Sequence, residues 1–316
     1  MENSYLITRT ANETLEYAKT LPTPKMLFSE FWIEGELCVL FADTNNGKST
    51  LAMNMADSIS KGIPMERFKL DKPAQKVICF DFELSEKQFQ NRYSDDYTNM
   101  YKFSDSLIRA SVNYDYEGQM SLENIRQSIE ETIIKHDAKV VIIDNITFLI
   151  EDNEKAKEAT PFMKGLKSLK QKLGISILLI AHTPKRDKTR PIDDTDLQGS
   201  RMIANFMDSS FAIGTSSTDT NTKYLKQLKA RSVEKMYGTE NVVVCTLQKD
   251  LNYLRFVYSH HASEYDLIKL PTPENKQEEI VRVLELKSKG VSYRSIGREL
   301  GISHMKAKRI YEEHGG

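Results

Sequence analysis

The sequence predicts an α/β fold, a mainly parallel sheet flanked by helices, with a small all-α module at the carboxyl end. Three observations lead there. Apolar runs of strand length at residues 37–41, 76–81, 139–144 and 175–181 alternate with stretches of helical periodicity, the pattern of a sheet built from crossover units. The first run passes through a short polar turn straight into an amphipathic helix. Beyond Pro271 and Pro273 the chain changes character, and its apolar residues outline a second, small helical core.

At 316 residues, 40% of them hydrophobic, the chain is long enough for one large domain and a small one. Lys and Arg number 44 against 45 Asp and Glu, so overall charge gives no pull toward nucleic acid or membrane, and any DNA contact must come from a local patch. Cys38, Cys79 and Cys245 each lie in an apolar, strand-like run without C-x-x-C or metal-ligand spacing, which predicts buried thiols in a reducing cytoplasm. No apolar run approaches the ~18 residues needed to span a bilayer, and the amino terminus lacks a signal-peptide pattern. The expectation is a soluble, cytoplasmic protein with no membrane partner.

The polar turn, FADTNNGKSTLA at residues 41–52, reads as a phosphate-binding loop. Leu51, Met53, Met55, Ala56 and Ile59 give the following residues helical spacing, so unpaired backbone N–H groups at the helix start, with the helix dipole, form an anion site. Ala42 stands where the pattern G-x-x-x-x-G-K-[ST] has its first glycine, while Gly47, Lys48 and Ser49 are intact. Asn45 and Asn46 are among the few residues besides glycine that tolerate left-handed backbone. Asn45, Asn46, Gly47, Lys48, Ser49 and Thr50 are therefore expected to hold ATP, with Lys48 on the β- and γ-phosphates and Ser49 on Mg²⁺.

In chain order, residues 1–35 form an amino-terminal arm for oligomerisation, with a short helix at 12–19 and an extended crossing over the prolines of LPTP. Phe31 and Trp32 pack on the core or on a neighbouring subunit. The strand at 76–81 leads to Glu83 at its carboxyl end, the edge where ligands sit in open parallel sheets, and Ser85 caps the next helix. A short strand at 107–111 and a helix over 121–136 capped by Ser121 follow. The run at 139–144 resembles a Walker B strand, whose Asp144 would hold Mg²⁺ opposite Ser49. A helix over 154–173 contains Pro161, expected as a kink or break. The strand at 175–181 ends in His182, a candidate γ-phosphate sensor or a plain loop histidine. Residues 184–198, PKRDKTRPIDDTDLQ, read as a mobile loop, facing a central channel or merely solvated. A helix at 200–208 precedes strands at 209–214, 241–248 and 252–258. Alternation over 223–232 puts Lys229 and Arg231 on one side of a further strand, and residues 249–253 read as a hairpin turn.

EGELCVLFADTNNGKSTLA, ICFDFE, VVIIDN, ILLIAHTPK, GSRMIANFMDSSFAI and LKARS together resemble the RecA-like core of the RepA and DnaB group of ring-forming P-loop ATPases, especially those of mobile elements. The likeness covers about residues 24–258, and the ATPase domain is drawn at 36–259. It implies that Glu83 polarises the attacking water, since Asn145 and not an acid follows Asp144. It also implies a homo-oligomer, a hexameric ring, in which Lys229 and Arg231 reach the γ-phosphate on the next subunit.

Residues 260–274 read as a linker, and 275–316 resemble a resolvase-like helix-turn-helix. Ile280, Leu284, Ile296, Leu300, Ile302 and Ile310 would form its core, Gly301 the turn, and Ser303 the cap of the last helix. His304, Lys306, Lys308 and Arg309 are then the candidates for DNA contact, in a module with net charge +3. Two functions are carried forward: a helicase-type DNA motor, and an ATP-dependent DNA-binding regulator or scaffold without unwinding.

Overall fold

A computed structural model describes residues 6–118, 121–145, 155–183, 186–197, 205–269, 273–300, 302 and 304–315. In chain order the strands are β1 (Met26–Phe28), β2 (Trp32–Ile33), β3 (Leu37–Ala42), β4 (Val77–Asp81), β5 (Ser94–Asp95), β6 (Asn99–Met100), β7 (Leu107–Ser111), β8 (Val140–Asp144), β9 (Ser176–His182), β10 (Ser209–Thr215), β11 (Thr222–Lys229), β12 (Val242–Asp250) and β13 (Tyr253–Ala262). The helices are α1 (Ala11–Lys19), α2 (Lys48–Lys61), α3 (Glu86–Arg92), α4 (Leu122–His136), α5 (Lys155–Leu173), α6 (Pro273–Ser288), α7 (Tyr293–Leu300) and α8 (His304–His314).

Nine strands share one sheet in the order β7-β4-β8-β9-β3-β10-β11-β12-β13. From β7 to β10 all pairings are parallel, and β11, β12 and β13 extend the sheet antiparallel. Strand β3 shows why its sequence is a continuous apolar run: both faces are covered. Leu37, Val39 and Phe41 join the core that holds Ile129 and Ile133 of α4 and Leu166 of α5. Cys38, Leu40 and Ala42 join the opposite core with Leu51, Met55 and Ile59 of α2. All three cysteines are buried and unpaired, as expected.

The amino-terminal segment divides. Helix α1 opens with a Thr10–Glu13 capping box and buries no residue, leaving Leu15 and Tyr17 exposed. From Met26 the chain belongs to the sheet domain: Phe31 and Trp32 are fully buried, and Phe28 stacks on Phe68 at 4.4 Å between ring centroids. Core packing, not a neighbouring subunit, accounts for both aromatics.

Several expectations are corrected. Helix α5 runs through Pro161 as one element, so of the kink or break expected there the break is ruled out. Strand β11 ends at Lys229, so Arg231 lies in the turn beyond it, outside the alternation. The loop expected to be mobile is stitched down over residues 186–197. Ile192 is buried, its N–H donates to Glu264 Oε1 at 2.7 Å, and Arg190 pairs with Asp193 and with the buried Asp196. Polar composition concealed this anchoring, which combines pairs inside the loop with a carboxylate 72 residues away in sequence. The linker also shrinks: β13 continues to Ala262, and Glu264, Leu267 and Ile268 are buried. Glu264 forms an ion pair with Lys226 and accepts from Tyr224 Oη at 3.0 Å. The helix expected at 200–208 lies largely outside the described residues.

Helices α6, α7 and α8 enclose a core of Val283, Leu286, Ile296, Ala307 and Ile310, with Ile280, Leu300 and Ile302 at its margin. Val283 and Leu286, rather than Leu284, are the α6 residues that point inward. Gly301 and Ser303 lie outside the described residues. The close approach falls to Gly297, where an added Cβ would meet the Ile302 carbonyl oxygen at 2.7 Å.

Candidate active site

The loop between β3 and α2 is built as its residues require. Asn45 takes φ +65° and Gly47 φ +83°, the left-handed positions that asparagine and glycine accept. Ala42 is the last residue of β3, paired in register with His182, so extended backbone suffices there and a glycine is not needed. Its carbonyl accepts from Lys48 Nζ at 2.9 Å, as does that of Asp43. Asn46 is tied from behind: Thr215 Oγ1 donates to its Oδ1 at 3.0 Å, and the buried Lys223 donates to Thr215 at 3.0 Å. Thr183 Oγ1 donates to Asp43 Oδ1 at 2.8 Å.

Parallel register brings the other groups to the same edge, since Asp81 lies opposite Asp144, and Ala42 opposite His182. Ser49 stands close enough to Asp144 to lower its carboxyl pKa against burial, and Asp144 Oδ1 is buried without a hydrogen-bond partner among the described residues. A hydroxyl beside an unsatisfied carboxylate oxygen fits Mg²⁺, which takes one or two protein oxygens and completes its shell with phosphate and water. No group of three or more His, Cys, Asp or Glu side chains suited to a metal occurs among the described residues.

Glu83, Asn145 and His182 form a second cluster. Asn145 Nδ2 donates to Glu83 Oε1 and lies 2.8 Å from His182 Nε2, which is 3.3 Å from the same Glu83 oxygen. One ring nitrogen can accept from Asn145 or donate to Glu83, and not both at once. The histidine contact, then the charge of Lys48 and the Asn145 amide, hold the Glu83 carboxyl below the usual carboxylate range against partial burial. Burial pushes Asp144 up to about 7 and Lys48 down to about 8, the latter despite Asp144, Glu83 and Asp43 nearby.

Sequence reasoning missed the outer wall. The loop opens into a cleft of about 580 Å³, within the range that holds a nucleotide-sized ligand, whose far side carries Leu247 and Leu254 of the β12–β13 hairpin and Arg92 at the end of α3. Asn54 of α2 fixes that hairpin by donating to Tyr253 Oη and the Leu254 carbonyl and accepting from the Phe256 N–H at 2.9 Å. Only Asn145 had a local signal, its place after a strand-terminal aspartate.

The AAA domain family AAA_25 matches residues 7–188, more than half of the chain. The chain belongs to the AAA domain family. Over 185 residues it is also 26% identical to the replicative DNA helicase DnaB of Mycoplasma pneumoniae, a match covering 50% of this chain and 37% of that protein's length. No helix among the described residues is long and apolar enough to cross a membrane.

The family match ends near the loop after β9, so Lys229, Arg231 and the three terminal helices stand on geometry alone. Lys229 pairs with Ser210 and Lys223 with Thr215, which puts Lys229 at the edge where β3 begins, opposite the edge that carries the loop. Arg231 is half-exposed and meets Asp208 at 3.4 Å. Burial and the Arg231 charge together hold the Lys229 ammonium below its usual range. On α8, His304, Lys308 and Arg309 are exposed, whereas Lys306 pairs with Glu279 of α6 at 2.9 Å. Lys308 and Arg309 each face a glutamate one turn on, at 3.4 and 3.8 Å.

Proposed function

We propose that the chain is an ATP-hydrolysing, DNA-associated motor of the helicase type, working as a homo-oligomer in replication or mobilisation of a mobile element. The observation that carries this reading is the convergence on Lys48 of the Ser49–Asp144 pair and the Glu83–Asn145–His182 cluster. The loop amides with Asn45, Asn46, Gly47, Lys48 and Thr50 grip the triphosphate. Ser49 and Asp144 would hold Mg²⁺, which would supply positive charge against the triphosphate. Glu83 orients the attacking water more than it deprotonates it, because a carboxylate with a lowered pKa is a weak base. Asn145 fixes the Glu83 oxygen, and His182 touches both, the position of a γ-phosphate sensor.

Lys229 and Arg231 lie at the wrong edge to serve their own loop, which supports their action in trans, in a hexameric ring. The terminal module acts as a helix-turn-helix on DNA through His304, Lys308 and Arg309, with Lys306 available once released from Glu279. The charge pairing on α8 favours keeping a second reading, a nucleotide-controlled DNA-binding regulator. A strand-displacement assay with wild type and Lys48→Ala separates the two. The motor displaces a strand and the variant does not; DNA-stimulated ATP turnover without displacement favours the regulator.

A further inference from the structure

We propose that Arg109, on the edge strand β7, is a positioning residue that sets the height of Glu83 over the phosphate loop. This rests on the reading of Glu83 as the carboxylate that orients water. Glu83 follows β4 in a turn whose two amides, Glu83 N–H and Leu84 N–H, donate to Asp81 Oδ1 at 3.1 and 2.9 Å. The other oxygen of Asp81 accepts from Arg109 Nε at 2.9 Å. The same guanidinium donates through Nη1 to Glu86 at 2.7 Å and through Nη2 to the Leu84 carbonyl, and it lies 4.9 Å from the centre of the Phe89 ring. Arg109 therefore grips the turn at its start through Asp81, at its end through Leu84, and at the following helix through Glu86 and Phe89.

Arg109 and Asp81 are both largely buried, whereas the Glu83 side chain is 38% exposed. The clamp is the rigid part, and the carboxylate is what it presents. Three acceptors around one planar fork suit a guanidinium; an ammonium cannot reach all three in fixed geometry. Among the described residues the polar partners of Arg109 are Asp81, Leu84 and Glu86, none of them in the loop at 44–50, so its effect should separate from nucleotide binding.

The test uses full-length wild type, Arg109→Ala, Arg109→Lys, Glu86→Gln and Glu83→Gln. ATP turnover is measured beside the affinity for a fluorescent ATP analogue and the melting temperature. Arg109→Ala is expected to keep its affinity and to lose about tenfold to a hundredfold in kcat, the scale of a misplaced catalytic group. Millimolar methylguanidinium should restore part of that turnover while leaving wild type unchanged. Arg109→Lys should fall between the two, and Glu86→Gln should show the smallest loss. Undiminished kcat in folded Arg109→Ala overturns the inference, as does a matched loss of turnover and affinity without guanidinium rescue. Should Arg109→Ala not fold, Arg109→Lys and Glu86→Gln decide, and normal kcat in both overturns it. Full turnover in Glu83→Gln, or none in wild type, instead removes the reading of Glu83 and this inference with it.

Discussion

At the scale of the residue, the proposed Mg²⁺ role of Asp144 sets the metal in competition with a proton. Burial raises its pKa from 3.8 to about 7, so the folded chain holds a proton that the unfolded chain has released over that window. Stability of the ligand-free protein therefore falls as pH rises from about 4 to 7 through this group, the opposite of a salt-bridged carboxylate. Metal binding requires the ionised form, so the apparent Mg²⁺ affinity should drop about fivefold from pH 7 to pH 6 and level off above about pH 8. Titrating ATP turnover with Mg²⁺ across this range checks it, and a flat profile would mean that Asp144 is already ionised in the folded protein. Such a shift is invisible in VVIID, because it arises from burial and from Glu83 and Asp81 on a neighbouring strand and turn.

At the scale of the element, the loop, its helix and the strand that feeds it were readable because short-range chemistry specifies them. Asn45 and Gly47 accept positive φ, and alternate residues of β3 serve two opposite cores. The loop at residues 186–197 was not readable. Its anchor is the buried Lys226–Glu264 pair, which also bonds both the N–H and the C=O of Ile192. Glu264→Ala leaves the Lys226 ammonium buried without its carboxylate, at a cost of about 3–5 kcal/mol. Thermal unfolding should report a large fall in melting temperature for Glu264→Ala, and proteolysis should find the 186–197 loop opened. An unchanged melting temperature would show that water reaches Lys226 as readily as Glu264 does.

At the scale of the whole molecule, the phosphate loop and the residues proposed to complete it in trans lie at opposite edges of one sheet. Lys48 and Lys223 stand at the loop edge, Lys229 and Arg231 at the other. Arg231→Ala should therefore leave ATP affinity almost unchanged while turnover falls by about 10³-fold or more. Mixing it with an excess of Glu83→Gln chains should restore some activity, because each new interface can pair an intact Glu83 site with an intact Arg231. Loss of nucleotide binding in Arg231→Ala with normal assembly would remove the trans assignment.

Local chemistry alone determined the α/β class, the phosphate loop, the strand-terminal Asp144 and His182, Glu83 just beyond its strand, and a three-helix module after the prolines. Each depends on periodicity or on a residue type at a turn, which neighbours in sequence can specify. Tertiary structure alone decided that Ala42 needs no glycine, that Lys223 braces Asn46, that Arg109 grips the Glu83 turn, and that Val283 and not Leu284 enters the terminal core. Those facts depend on which strands lie side by side and which helix face turns inward, and that is settled by burying two apolar faces of one sheet at once.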